Sequence, residues 1–334
     1  MLAISGAVSK VIVEVKNLKK YFPVAKTFLE RLFSREEKYV KAVDGISFNI
    51  LRGEILSLVG ESGSGKTTTG KLVLRLIDPT DGRIIFDGKD ITDLRGEELR
   101  VLRKDMQIIY QDPYASLNPR MTVGDSIKDP LIIHDLASGN EAKELVYEML
   151  EKVGLTPPEY FYNRYPRHLS GGQRQRVAIA RAMITKPKLV VADEPVSMID
   201  VSLRASILDL MLDFRRELNL SYLFITHDLA VAKYISDRIA IMYLGKIVEM
   251  GSTREIFTNP LHPYTKALLS AIPVPNPESR RERIKLPGEI PSAIEIPSGC
   301  RFHPRCPSKI DICIKEEPEL REIRKDHYVA CHLY

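Results

Sequence analysis

The chain is punctuated by short, almost wholly apolar runs, each closed by a polar or glycine residue. Glu54–Val59, Leu189–Ala192, Tyr222–Thr226, Ile239–Tyr243 and Lys246–Met250 have the length and β-branched content of strands, and the first three read as buried on both faces. Val11–Val15 and Ala42–Phe48 alternate as half-buried strands, and Arg83–Phe86 lies between the turn signals Asp81-Gly82 and Asp87-Gly88. The period changes to a helical one over Lys66–Ile77, with Leu72, Val73, Leu76 and Ile77 in register. It is also helical over Glu141–Val153, Arg174–Ile184 and Val201–Leu218. The charged stretch Pro23–Tyr39 reads as an inserted loop or a short helix. Strands alternating with helices predict an α/β core. The first ~90 residues predict an antiparallel layer, and the helical stretch between Gln111 and Leu169 a small lobe of its own.

Beyond about Asn259 the pattern breaks down. Prolines cluster at 260, 263, 273, 275, 277, 287, 291 and 297, and few periodic segments remain. This predicts a separate, loop-rich appendage with too little core to stand without a staple.

Composition changes the picture little. With 334 residues, 44% hydrophobic and 28% charged, the chain has the make-up of a soluble globular protein. Its net charge of +5 includes no long basic run, so nucleic acid is not an expected partner. Nothing approaches a membrane span, and Met1–Lys10 lacks the regions of a secretory signal, which predicts a cytosolic location.

The chemistry is concentrated at three places. Gly60-Glu61-Ser62-Gly63-Ser64-Gly65-Lys66-Thr67, followed by Thr68, joins a buried strand to a helix and fits the phosphate-binding P-loop. Glycines let backbone N–H groups turn toward phosphate oxygens, and the helix N-terminus adds partial positive charge. Lys66 is expected to reach the β- and γ-phosphates, and the Thr67 hydroxyl to ligate Mg²⁺. Asp193 closes a buried strand, where an aspartate holds Mg²⁺, and Glu194 follows it, where a carboxylate can polarise an attacking water. Leu169-Ser170-Gly171-Gly172-Gln173 opens a helix that Ser170 is suited to cap, with two glycines leaving a second anion-binding helix end.

In this order, with Gln111, Asp200 and His227 in place, the sequence resembles the ABC ATPases over residues 11–256, with a helical subdomain at about 112–172. The resemblance implies a P-loop NTPase fold with a RecA-like parallel sheet core. An antiparallel β layer, the helical subdomain and a small C-terminal extension over 257–334 would complete it. It also implies two such domains paired head to tail, each nucleotide lying between the P-loop of one and the Ser-Gly-Gly-Gln of the other. Phe22 takes the place of the adenine-stacking aromatic, with Tyr21 as the alternative. Gln111 senses Mg²⁺ and the membrane partner, Asp200 belongs to the D-loop, and His227 contacts the γ-phosphate. Met198 stands where the family usually has a smaller residue.

Three further stretches narrow the resemblance to ATP-binding subunits of oligopeptide/dipeptide importers: Tyr110–Arg120, His262–Leu269, and Leu286-Pro287-Gly288 with Gly299–Cys306. Related systems carry oligosaccharides or nickel, and soluble ABC ATPases serve DNA repair or translation. The importer class implies a homologous ATPase subunit as heterodimer partner, two membrane permease subunits and an extracellular substrate-binding protein. The chain would then sit at the cytoplasmic face of the cell membrane.

All four cysteines, Cys300, Cys306, Cys313 and Cys331, lie in the extension. Disulfides suit a reducing cytosol poorly, and a metal would staple a loop-rich segment. Zinc is one reading, with His303 and His332 as substitute ligands. The other is an iron–sulfur cluster, which four thiolates suit and which the resemblance implies as a 4Fe-4S centre.

Overall fold

The structure, a computed structural model, describes residues 10–24, 38–272 and 284–334. Of the loop or short helix expected over Pro23–Tyr39, residues 25–37 lie outside the described residues, as do the prolines at 273, 275 and 277.

The strands are β1 (Val11–Pro23), β2 (Tyr39–Leu51), β3 (Ile55–Val59), β4 (Asp81–Phe86), β5 (Lys89–Asp90), β6 (Met106–Ile109), β7 (Leu189–Asp193), β8 (Ser221–Thr226), β9 (Arg238–Tyr243), β10 (Lys246–Ser252), β11 (Arg321–Arg324) and β12 (His327–Val329). The chain divides into two compact units. One takes residues up to Val13, Asn49–Ile55 and Phe86–Phe224; the other takes Glu14–Phe48, Leu56–Ile85 and Ile225–Tyr334.

In the first unit the strand order is β8-β7-β6, and β6 runs parallel to β7 with Ile109 opposite Ala192. Every residue of β7 and β8 is buried, as their unbroken apolar runs require. The lobe after Gln111 contains the helices Val123–Ile133, Gly139–Lys152 and Pro158–Tyr162. The first of these tolerates Pro130 inside it, and of the three only the second is singled out by the periodicity above. Helix Val201–Leu218 ends as expected, with Asn219 left-handed at φ 50°.

In the second unit the order is β11-β12-β10-β9-β3, with β3 parallel to β9 and the remaining neighbours antiparallel. A second sheet places β1 between β2 and β4. The helix after β3 spans Lys66–Val73, shorter than the pattern to Ile77 implies. It stops because Arg75 turns left-handed at φ 52° and its amide closes on the Leu72 carbonyl, while the Leu76 amide closes on the Lys71 carbonyl. This is a glycine-type helix stop made by an arginine. Arg75 is buried and held there by Asp78 at 2.9 Å, and Leu76 is left 39% exposed.

The C-terminal segment is not a separate appendage. β12 pairs antiparallel with β10, setting Glu249 opposite Val329. Tyr264, Leu269 and Phe302 belong to one buried cluster with Val59, Ile239, Ile241 and Tyr243. The segment also holds a helix, Pro263–Ser270, started by a proline in its first turn and capped by His262, whose Nδ1 accepts from the Tyr264 amide at 3.1 Å. A fully buried carboxylate fastens it further. Glu249 accepts from the Leu261 and His262 amides and from His327 Nε2, each at 2.8 Å. Apolar packing on the existing core supplies the stability that composition led us to seek in a staple alone.

Candidate functional site

In the second unit the chain leaves β3 at Gly60 and passes through a tight loop into helix Lys66–Val73. Glycine is required at two points by close approach. A Cβ on Gly60 would meet the Met242 carbonyl oxygen at 2.1 Å, and one on Gly65, which sits at φ 104°, would meet the Ala42 carbonyl at 2.1 Å. The Ser64 amide closes on the Glu61 carbonyl, and the Gly245 amide donates to the Ser64 carbonyl. The helix has no side-chain cap, so its N-terminal end is left to backbone groups. Lys66 is buried, and its Nζ donates to the carbonyls of Gly60 and Glu61, both at 2.8 Å, and reaches Ser64 Oγ at 3.4 Å. Its ammonium is thus held against two carbonyls of the loop itself. Ser62, Gly63 and Thr67 are exposed along the same loop, and Thr68 follows half-buried.

The two aromatic candidates on β1 separate clearly. The Tyr21 hydroxyl donates to Asp44, while Phe22 keeps a ring 38% exposed with Lys20 Nζ 5.1 Å from its centre. Burial and the neighbouring Asp44 push the Tyr21 hydroxyl up to about 12, so it stays a donor. His227 is exposed at the end of β8, followed by Asp228, which caps helix Leu229–Ile235.

In the first unit Asp193 is buried at the end of β7. Glu194 follows in a left-handed conformation, φ 47°, that a non-glycine residue adopts only at a cost of about 1–3 kcal/mol. The turn is fixed by Ser197, whose amide and hydroxyl both donate to the Glu194 carbonyl. Gln111 lies just past β6, and its Nε2 donates to Glu194 Oε2 at 3.1 Å. A carboxylate at a strand end is therefore aimed and held by a neighbouring amide.

The Ser170 motif opens helix Gly171–Met183 three residues earlier than its apolar period suggests. A capping box explains the early start: the Gln173 amide donates to Ser170 Oγ at 3.2 Å, and the Ser170 amide donates to Gln173 Oε1 at 2.9 Å. Gln173 is accordingly engaged in holding the helix end. A Cβ at Gly171 would meet nothing within 4 Å, so that face of the turn is open; one at Gly172 would press on Leu203 at 3.0 Å. Asp200 is exposed before helix Val201–Leu218, and Met198 is 63% exposed.

Two arginines of this helix went unnoticed in the sequence. Arg174 stacks its guanidinium 3.4 Å from the Tyr114 ring centre and donates to the Tyr114 hydroxyl, and Arg181 donates to the Ser116 carbonyl at 2.6 Å. They tie the segment after Gln111 to the Ser-Gly-Gly-Gln helix. The Tyr-Gln-Asp-Pro-Tyr run was visible, but nothing local showed which cations it would meet.

The four cysteines are in no disulfide. The Cys300 amide donates to the Cys313 carbonyl at 2.8 Å, and Gly299, at φ 63°, permits that approach because a Cβ there would meet the same carbonyl at 2.5 Å. Burial pushes the Cys300 thiol up to about 11, and the nearness of Cys313, Cys331 and Cys306 adds to the shift. Burial also raises Cys306 and Cys331. His303 Nδ1 donates to the Cys300 carbonyl and His332 Nε2 to the Glu316 carbonyl, which commits one ring nitrogen of each elsewhere. Among the described residues no group of three or more His, Cys, Asp or Glu side chains is arranged to hold a metal ion. This arrangement supports neither the iron–sulfur cluster nor the zinc expected there.

No helix of the described residues is long and apolar enough to cross a membrane.

A family model described as ABC transporter matches residues 43–197, and one described as the oligopeptide/dipeptide transporter C-terminal region matches residues 248–313. The oligopeptide transport ATP-binding protein AppF of Bacillus subtilis is 49% identical over 333 residues, spanning 99% of this chain and 99% of that protein. The dipeptide transport ATP-binding protein DppF of Haemophilus influenzae is 50% identical over 314 residues, 94% of each. Among solved structures, the dimeric ATP-binding cassette MJ0796 in a post-hydrolysis state bound to ADP and Pi aligns with a TM-score of 0.63 and 32% identity, covering 72% of this chain and 99% of that one. A P-loop, the Asp193-Glu194 strand end and the Ser170–Gln173 helix end are all present, and relatives match at near full length. The chain therefore belongs to the ATP-binding proteins of ABC transporters, among those that carry the oligopeptide/dipeptide transporter C-terminal region.

Proposed function

We propose that this chain is the ATP-hydrolysing subunit of a binding-protein-dependent importer of oligopeptides or dipeptides. Near full-length similarity to AppF and DppF, tail included, is the observation that carries the reading. ATP is the substrate, and Gly60 to Thr68 take its phosphates, with Lys66 as the cation and Phe22 against the adenine. Thr67, Asp193 and Gln111 are suited by donor type to Mg²⁺, which supplies neutralisation of phosphate charge when bound. Glu194, held by Gln111, orients and deprotonates the attacking water, and His227 takes the γ-phosphate. Ser170, Gly171, Gly172 and Gln173, with Asp200, act on the nucleotide of a second subunit. We assign the cassette to residues 11–256 and the transporter-specific extension to 257–334. The partners are a homologous ATPase subunit as heterodimer, two membrane permeases that place the chain at the cytoplasmic face of the membrane, and an extracellular binding protein. Closure of the ATPase pair on ATP then moves the permeases as rigid bodies.

Affinity purification from native membranes tests this assembly. Recovery of two permeases and a second ATPase subunit, with ATPase activity stimulated by a peptide-loaded binding protein, is the expected result. Recovery of nucleic acid or ribosomes instead would overturn it.

We also infer that Cys300, Cys306, Cys313 and Cys331 hold a 4Fe-4S cluster as a structural staple. Four free cysteines in one segment, the number of thiolates such a cluster takes, support it. Protein purified without oxygen should be brown and hold about four irons per chain, and Cys306→Ser should lose both. Colourless protein with one bound zinc would contradict the cluster.

A further inference from the structure

We propose that Arg305 and Tyr264, both in the C-terminal segment, are positioning residues of the P-loop that set its affinity for nucleotide. The inference rests on the ATPase reading above and adds to it a role for a segment outside the cassette.

Glu61 is the second residue of the loop, and it is gripped at its amide, its carboxylate and its carbonyl. Its amide donates to the Tyr264 hydroxyl at 3.0 Å. Its carboxylate accepts from Arg305 Nη1 at 2.8 Å and Nη2 at 3.5 Å, the forked pairing that fixes both distance and plane. Its carbonyl accepts from Lys66 Nζ at 2.8 Å. The first two partners come from outside the cassette, and the third is the lysine that meets phosphate. Holding Glu61 therefore holds the carbonyl against which the Lys66 ammonium is set.

The grip is rigid on the side of the tail. Tyr264 is fully buried, and its ring lies 4.8 Å from that of Tyr243 and 5.4 Å from that of Phe302. The Arg305 side chain is 9% exposed, and that of Glu61 is 29% exposed, so water screens the pair only in part. The Arg305 amide closes a turn on the Phe302 carbonyl at 3.0 Å, which seats the guanidinium beside the same aromatic cluster. Four residues earlier Arg301, also buried, donates to the Leu244 carbonyl and pairs with Asp44. The next residue after Leu244, Gly245, donates its amide to the Ser64 carbonyl. The Cys300–Cys306 loop thus reaches the P-loop directly at Glu61 and, through Leu244 and Gly245, at Ser64.

An ion pair that only pinned the tail would give the same distances, so the test separates the two roles. In the full chain, affinity for a fluorescent ATP analogue with Mg²⁺ is measured beside the melting temperature. The variants are Tyr264→Phe, which keeps the ring and removes the hydroxyl, Arg305→Gln, Arg305→Lys, Glu61→Gln, and Glu61→Gln with Arg305→Gln. Loss of one such hydrogen bond or charge pair predicts a weakening of about three- to tenfold for Tyr264→Phe and for Arg305→Gln. Partial recovery is expected in Arg305→Lys, and the double variant should bind no worse than the weaker single one. A dissociation constant within twofold of the wild type in both Tyr264→Phe and Arg305→Gln, whatever their melting temperatures, would overturn the proposal, as would additive losses in the double variant. A wild-type chain that binds no ATP would instead overturn the ATPase reading, and this inference with it.

Discussion

Gln111 Nε2 donates to Glu194 Oε2 across 3.1 Å, and the register of two parallel strands brings them together. Ile109 of β6 stands opposite Ala192 of β7, and each chain then runs two residues on to its polar side chain. Gln111 thereby selects one orientation of the carboxylate. Replacing it by alanine removes one hydrogen bond from the group we propose acts in the hydrolytic step. Gln111→Ala is expected to lower kcat about tenfold and leave KM for ATP within about threefold. Steady-state kinetics of the assembled transporter check this; an unchanged kcat would contradict the orienting role.

Acid should loosen the C-terminal segment through His262. Burial holds its imidazole down at about 4, against an ordinary value of 6.5, and its Nδ1 must stay unprotonated to accept the Tyr264 amide. Between these values the unfolded chain binds the proton that the folded chain refuses. Stability is therefore full above about pH 6.5 and falls as pH drops toward 4, by up to about 1.4 kcal/mol per pH unit. His262→Asn keeps a helix cap without the titration. Melting curves from pH 7 to pH 4.5 should fall less steeply for this variant, and identical slopes would rule out His262 as the group responsible.

Glu249 holds the segment at two places, and its removal exposes how much that counts. Glu249→Ala strands the Leu261 and His262 amides and the His327 imidazole in a fully buried site. A loss of about 3–5 kcal/mol is expected. Thermal unfolding of the full chain measures it, and a melting temperature unchanged by the substitution would show that β12 and helix Pro263–Ser270 stay in place without this carboxylate.

The buried strands were legible because an unbroken apolar run with a polar end has few other uses, and β7 with Asp193 and β8 with His227 follow that pattern. Chemistry tied to local spacing was legible too: the P-loop glycines and the Ser170 cap depend on residues within one turn of each other. Helix ends were harder. Arg75 closes its helix as glycine commonly does, and its buried guanidinium is held by the Asp78 carboxylate and the Ile77 carbonyl, partners that periodicity does not reveal. The tail was misjudged because its stability comes from β10, Glu249 and Tyr243, residues far away in sequence. The same distance hid Arg305, which stands 244 residues from Glu61. Charged residues between two cysteines suggest solvent or a metal's surroundings, and nothing nearby points to a phosphate loop.

The central claim is that this chain hydrolyses ATP with Glu194 as the residue that activates water, and turnover in Glu194→Gln tests it most directly. Glutamine keeps the shape and the contact with Gln111 but cannot take a proton. With the partner ATPase subunit and permeases present, the wild type should hydrolyse ATP. Lys66→Ala should bind it poorly. Glu194→Gln should bind ATP as tightly as the wild type, turn it over about 10²- to 10⁴-fold more slowly, and accumulate a closed ATPase pair holding intact ATP. Hydrolysis at the wild-type rate by Glu194→Gln would contradict the account.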